Sequence, residues 1–231
     1  MYIIRYNDTA FVGMVMNSIE AFFLPMRNAM RRKEPQRKDY GHEIFGHIYG
    51  KIDESSKDRI YTIENCNIAT TAKTTDESTY VTEETFLVKE SIREALAPEM
   101  KYLGTFHTHP HRAQDLEECP PKSYLVQACK PTKADEESDP LEIPYMLDTI
   151  LSMSNRNKPD MTRTGYVNGR TWSMVEFHIG KLSFILSADV RSEKKGYMQD
   201  SEVKIEIPRM INKDLNFMKD SYINELLDDL L

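Results

Sequence analysis

Tyr102-Leu103-Gly104-Thr105-Phe106-His107-Thr108-His109-Pro110 reads as a β-strand that runs straight into a histidine pair. Successive side chains of a strand alternate between its faces, so His107 and His109 share one face and both rings can reach one ion. Imidazole is a good zinc ligand at about 2.0–2.1 Å, and a catalytic zinc takes three protein ligands and leaves a position for water. A carboxylate or imidazole from elsewhere must then complete the set. Alone, His-x-His is a weak signal, because surface histidines at this spacing are common.

Upstream of the pair, Gly41–Gly50 is an apolar strand carrying small residues, and Arg59–Asn65 alternates as its hairpin partner. Residues 2–6 form a short strand. A helical pattern follows from Asn17 (Ile19, Phe22, Phe23, Met26, Ala29, Met30), with Asn17 or Ser18 as cap and Pro25 as a kink. Arg31–Asp39 is a basic connector without apolar residues and reads as a solvated loop. Thr70–Thr82 is a polar surface loop. Glu83–Leu96 is a helix with Phe86, Leu87, Ile92, Ala95 and Leu96 as its apolar face and Pro98 as its stop.

Downstream, residues 111–131 read as an inserted loop holding Pro120-Pro121, and a short helix starts near Thr132. Strands are expected at Thr149–Met153, Trp172–His178, Leu182–Ser187 and Val203–Ile207. Asn212–Leu231 closes as an amphipathic helix with Leu215, Met218, Tyr222, Leu226 and Leu230 on one stripe. Strands and helices alternate, so the fold class is α/β with a mixed sheet flanked by helices.

Composition bounds the setting. The chain has 231 residues, 30 Lys+Arg against 37 Asp+Glu and a net charge of −7, with 40% hydrophobic residues. That is enough apolar material for a sizeable core. The acidic balance argues against nucleic acid or an anionic membrane as the main partner. No apolar run approaches the ~20 residues of a membrane span, and the first residues lack the pattern of a signal peptide. Three cysteines, Cys66, Cys119 and Cys129, are no disulfide framework and suit a reducing cytoplasm. Cys119 and Cys129 as a clip or metal pair is the less favoured reading of two ordinary thiols.

Three ordered pieces give the histidine pair its context. Glu43-Ile44-Phe45-Gly46-His47-Ile48-Tyr49-Gly50 fits Glu-x-x-Gly-x-apolar-x-Gly, and Pro131-Thr132-Lys133-Ala134-Asp135 fits Pro-Ser/Thr-x-x-Asp at a helix start. Together with 102–110 they resemble the JAMM (MPN+) metallopeptidase family over about residues 14–190. The resemblance implies a cytidine-deaminase-like JAB/MPN architecture and a bound Zn2+. It matches His107 and His109 to the family's histidine ligands and Asp135 to its aspartate ligand. Glu43 matches the glutamate that moves a proton from water to the leaving amine, and Thr132 the hydroxyl that helps hold the oxyanion. Such enzymes cleave amide or isopeptide bonds, typically next to ubiquitin or a ubiquitin-like protein. Zinc brings the pKa of a water towards ~7, a carboxylate beside it can shuttle the proton, and an oxyanion donor contributes on the order of 3 kcal/mol.

The match departs from the family pattern in one place. The family keeps a short spacer between the proline and the Ser/Thr, whereas residues 111–131 intervene here. Asp115 is the rival third ligand, and Tyr124 takes the aspartate's place if Pro120-Pro121 marks the helix start. Thr132-x-x-Asp135 is also a plain N-cap arrangement, and Glu43 also fits a salt bridge at a strand end. His111 and His178 read as solvent-facing, and Trp172 as core.

The sequence reading is therefore a zinc metallopeptidase acting on a ubiquitin-like or other small protein conjugate. The rivals are a non-catalytic MPN-like scaffold in a complex and a hydrolase of small amides. A zinc deaminase is disfavoured because Cys119 and Cys129 lack the Pro-Cys-x-x-Cys spacing. The expected organisation is a domain over 1–190 with the insertion at 111–131, followed by an extension over 191–231 that packs in cis or meets a second copy.

Overall fold

The computed structural model describes residues 1–23, 41–69, 73–74, 79–80, 83–111, 122–130, 146–155, 164–167, 171–179, 182–192, 196–197 and 202–208. In chain order these form β1 (Tyr2–Tyr6), α1 (Asp8–Phe23), β2 (Phe45–Asp53), β3 (Arg59–Ile68), the two-residue pair β4 (Lys73–Thr74) and β5 (Thr79–Tyr80), α2 (Glu83–Leu96), β6 (Lys101–His111) and α3 (Lys122–Ala128). There follow β7 (Leu147–Asn155), β8 (Gly165–Val167), β9 (Thr171–Ile179), β10 (Leu182–Ser192), β11 (Gly196–Tyr197) and β12 (Val203–Glu206).

One mixed sheet runs β12-β1-β3-β2-β6-β7-β10-β9-β8, with β11 paired to β10. The pairs β1–β12, β1–β3 and β6–β7 are parallel and the others antiparallel. The sheet curls until its two ends meet, because the Tyr166 hydroxyl on β8 donates to the Ile205 carbonyl on β12 at 2.9 Å. The expected boundary at 190 falls inside β10, and β12, from beyond it, completes the sheet.

Alternation decides what each face does. Ile4 and Tyr6 of β1, Phe106 of β6, Leu151 and Met153 of β7, Phe184 and Leu186 of β10 and Ile205 of β12 form the main core with Phe11, Met14 and Phe22 of α1. Phe177 stacks on its cross-strand partner Phe184 at 4.8 Å, and Phe11 meets Phe177 at 5.4 Å. The opposite face carries a smaller cluster in which α3 packs Leu125 and Cys129 on Val167, Met174 and Ile185. Burial pushes the Cys129 thiol up to about 12, and it donates to the Ile185 carbonyl at 2.9 Å, which is the behaviour of an inert core thiol.

Several sequence expectations are corrected here. The first helix begins at Asp8 rather than near Asn17, because the Asn7 side chain accepts from the Ala10 amide at 2.7 Å and caps it. Residues 122–128, expected within a loop, form α3 directly after Pro120-Pro121. α2 has its expected bounds, yet only Phe86 of its apolar residues is buried, while Leu87, Ile92 and Leu96 are exposed. Trp172 is exposed, and His178, expected at the surface, is 7% exposed. His111 lies on β6, and burial lowers it to about 4. The expected helices at Thr132 and at 212–231 lie outside the described residues.

His47 on β2 faces an aromatic box of Phe45, Tyr49, Phe86 and Tyr102, with ring centroids 5.5–6.4 Å away. Burial, with a smaller contribution from the Lys89 charge, lowers it to about 4. The unfolded chain, with His near 6.5, then takes up a proton that the native state refuses. Stability is therefore complete above pH ~6.5 and falls as the pH drops towards 4. In His47→Phe, urea melts at pH 7 and pH 4.5 should differ by about 2 kcal/mol less than in the parent chain. An unchanged difference would remove His47 from the account.

Candidate metal centre

The local sequence around β2 and β6 is shaped by how closely these strands approach. Gly46 sits opposite Phe106 in the register, and a Cβ there would lie 2.1 Å from the Phe106 ring. Ile48 is fully buried. The Gly-x-apolar positions of the upstream motif are thus packing positions that seat β2 on β6. Phe45 pairs with His107, and the pairing continues past the strand end. The Thr108 amide donates to the Ile44 carbonyl at 3.0 Å, and the Ile44 amide donates to Thr108 Oγ1 at 2.9 Å. Upstream, the His42 amide donates to the Ala21 carbonyl of α1 at 3.2 Å. Glu43 is pinned between these contacts, alongside the His107–His109 segment.

His107 and His109 are nearly buried, on one face of β6, with ring centroids 4.8 Å apart. The Ala128 carbonyl at the end of α3 can only accept a hydrogen bond, so His109 Nδ1 carries the proton and donates to it. His107 Nδ1 lies 3.8 Å from Asp148 Oδ1 on β7. Ligating histidines usually present one ring nitrogen to a carboxylate or backbone carbonyl and bind the ion through the other. His109 follows that arrangement and His107 Nδ1 faces the Asp148 carboxylate, so the residues present would fit a zinc held through the Nε2 atoms.

Neither Asp148 nor the Ala128 carbonyl was a sequence candidate. Asp148 left a signal, being the one charge in an otherwise apolar and small-residue strand. The Ala128 carbonyl left none, because a backbone acceptor has no letter. Asp135, Asp115 and Thr132 lie outside the described residues, and so does Cys119. Among the described residues no three His, Cys, Asp or Glu side chains converge as a complete metal site.

A family model described as prokaryotic homologs of the JAB domain matches residues 25–134. Over that segment the chain is similar to the JAB domain. The matched JAB segment includes Glu43, His107, His109 and Thr132 and stops one residue before Asp135. The JAB family holds both catalytic JAMM peptidases and non-catalytic members. Comparison with curated proteins gave no match. The solution structure of protein DSY2949 from Desulfitobacterium hafniense is 11% identical, with 89% of this chain and 92% of that one covered at a TM-score of 0.44. That likeness is too low to bear on function. No helix among the described residues is long and apolar enough to cross a membrane.

Proposed function

We propose that this JAB-like domain is a zinc-dependent amide hydrolase of JAMM type, a metallopeptidase or isopeptidase acting on a ubiquitin-like or other small protein conjugate. The observation that supports this best is the shared-face histidine pair whose Nδ1 atoms turn to Ala128 and Asp148. Zn2+ held by His107 and His109, with Asp135 as third ligand, would supply Lewis acidity to the scissile carbonyl and to a water. Glu43 takes the proton of the attacking water and returns it to the departing amine, since an amine leaves poorly unless protonated. Thr132 donates to the carbonyl oxygen as negative charge develops there. In the cytidine-deaminase-like arrangement of the family, helices flank the sheet and the site opens at the strand ends. The protein works in the cytoplasm, with neither nucleic acid nor membrane as partner, alone or with a second copy or complex partner.

Metal analysis tests the reading. The purified chain should hold close to one zinc, and stripping it with a chelator should abolish hydrolysis of ubiquitin-like C-terminal amides until zinc is restored. Protein that binds no zinc, with unchanged partner binding, would instead support the non-catalytic scaffold. Asp148→Asn should weaken zinc binding about 10–100-fold in a chelator competition, because the carboxylate charge facing His107 Nδ1 is lost. Wild-type affinity in that variant would leave His107 oriented by something else.

A further inference from the structure

The seven residues of α3 are too few to hold a helix by themselves, so what it packs on sets its place. Leu125 and Cys129 stand four residues apart on one side of it, and both are buried against Val167, Met174 and Ile185. Two hydrogen bonds then tie its C-terminal end to β10. The Cys129 thiol donates to the Ile185 carbonyl at 2.9 Å, and the Ser187 hydroxyl donates to the Cys129 carbonyl at 2.5 Å. Ser187 is itself buried.

Strand register carries this anchorage to the metal centre. His109, Ser152 and Ile185 form one row across β6, β7 and β10, and His107, Ile150 and Ser187 form the next. Directly paired residues project to the same side, so Ser187 shares a face with both histidines. The carbonyls at the end of a helix have no partner within it. Here two consecutive ones, Ala128 and Cys129, turn to opposite sides of β7: the first accepts from His109 on β6 and the second from Ser187 on β10. A neutral imidazole carries one proton, and if that proton sits on Nε2 the nitrogen cannot bind a metal. The place of the Ala128 carbonyl therefore decides whether His109 is ready to ligate.

We propose that Ser187 and Cys129 are positioning residues of the metal centre. They seat the end of α3 so that the Ala128 carbonyl keeps the His109 proton on Nδ1 and leaves Nε2 open to zinc. Neither side chain touches the ion. The purpose of this arrangement rests on the hydrolase reading, but the tautomer it sets does not.

NMR of the histidine ring nitrogens in the metal-free full chain reads the tautomer at about pH 8, where an ordinary imidazole is neutral. The parent His109 should be the Nδ1–H form, and Ser187→Ala and Cys129→Ala should each move it to a mixture of both forms. Chelator competition should show zinc held about ten-fold more weakly in each variant. The double variant should lose little more than either single one, because both bonds hold the same end of α3. Ile4→Val, which trims the main core on the other side of the sheet, is the control: its unfolding midpoint should drop while tautomer and zinc affinity stay parental. Thermal melts show whether Cys129→Ala folds; Ser187→Ala removes one hydroxyl and carries the test if it does not. An unaltered His109 tautomer or parental zinc affinity in Ser187→Ala overturns the positioning role, as does an equal loss in Ile4→Val. A parent chain that binds no zinc would remove the hydrolase reading instead, and the positioning role would then stand or fall on the tautomer alone.

Discussion

Glu43→Gln is expected to lower kcat for amide hydrolysis at least 100-fold while zinc content and KM stay near the wild-type values. Positioned proton transfer contributes typically 10²–10⁴-fold, and glutamine keeps the size and one acceptor of glutamate but takes up no proton at neutral pH. The Ile44–Thr108 bonds hold this position from the backbone, so the substitution leaves the neighbouring pairing in place. A glutamate that only ends a strand with a salt bridge would behave differently: the variant would lose melting temperature and keep its turnover. Single-turnover kinetics with parallel metal analysis separate the two, and wild-type kcat in a zinc-loaded Glu43→Gln chain would remove the proton-shuttle role.

Gly104→Ala is expected to cost about 3 kcal/mol or more, enough to lower the midpoint of thermal unfolding by roughly 6–12 °C. Gly104 has φ near +150°, and a Cβ there would lie 1.9 Å from the Leu147 carbonyl oxygen. That oxygen belongs to the backbone of β7, which Gly104 pairs with directly, so neither side can step aside without separating β7 from β6. The register shift between β2 and β6 falls beside the same residue. The separation would also pull Asp148 away from His107, so zinc affinity should fall along with stability. Gly13→Ala provides the contrast: nothing lies within 4 Å of its added Cβ in α1, and stability should rise by about 0.5–1 kcal/mol. Chemical denaturation of both variants checks the pair, and a neutral Gly104→Ala would mean that the two strands are not so tightly apposed.

Much of the fold was legible because periodicity is local. β6, β7, β9, β10 and α2 lie where alternation or helical spacing placed them, since each needs only its own residues to reveal an apolar face. The first helix was misplaced because Gly13 interrupts its propensity and its cap, Asn7, stands outside the apolar pattern. α3 was missed because Pro120-Pro121 reads equally as a loop signal and as a helix start. His178 was misjudged because a histidine between apolar neighbours carries no mark of whether its face is covered.

The sequence by itself determined the alternating pattern of the sheet strands, the shared face of His107 and His109, and the ordered motifs that resemble a JAB domain. Those are consequences of spacing, which the chain carries wherever it folds. Only the tertiary structure decided that Glu43 lies alongside the histidines, that Asp148 and the Ala128 carbonyl face their rings, and that Cys129 and Ser187 tie α3 to β10. These groups are distant in sequence, and strand register, hydrogen-bond partner and burial are set by the pairing of whole strands rather than by any one of them.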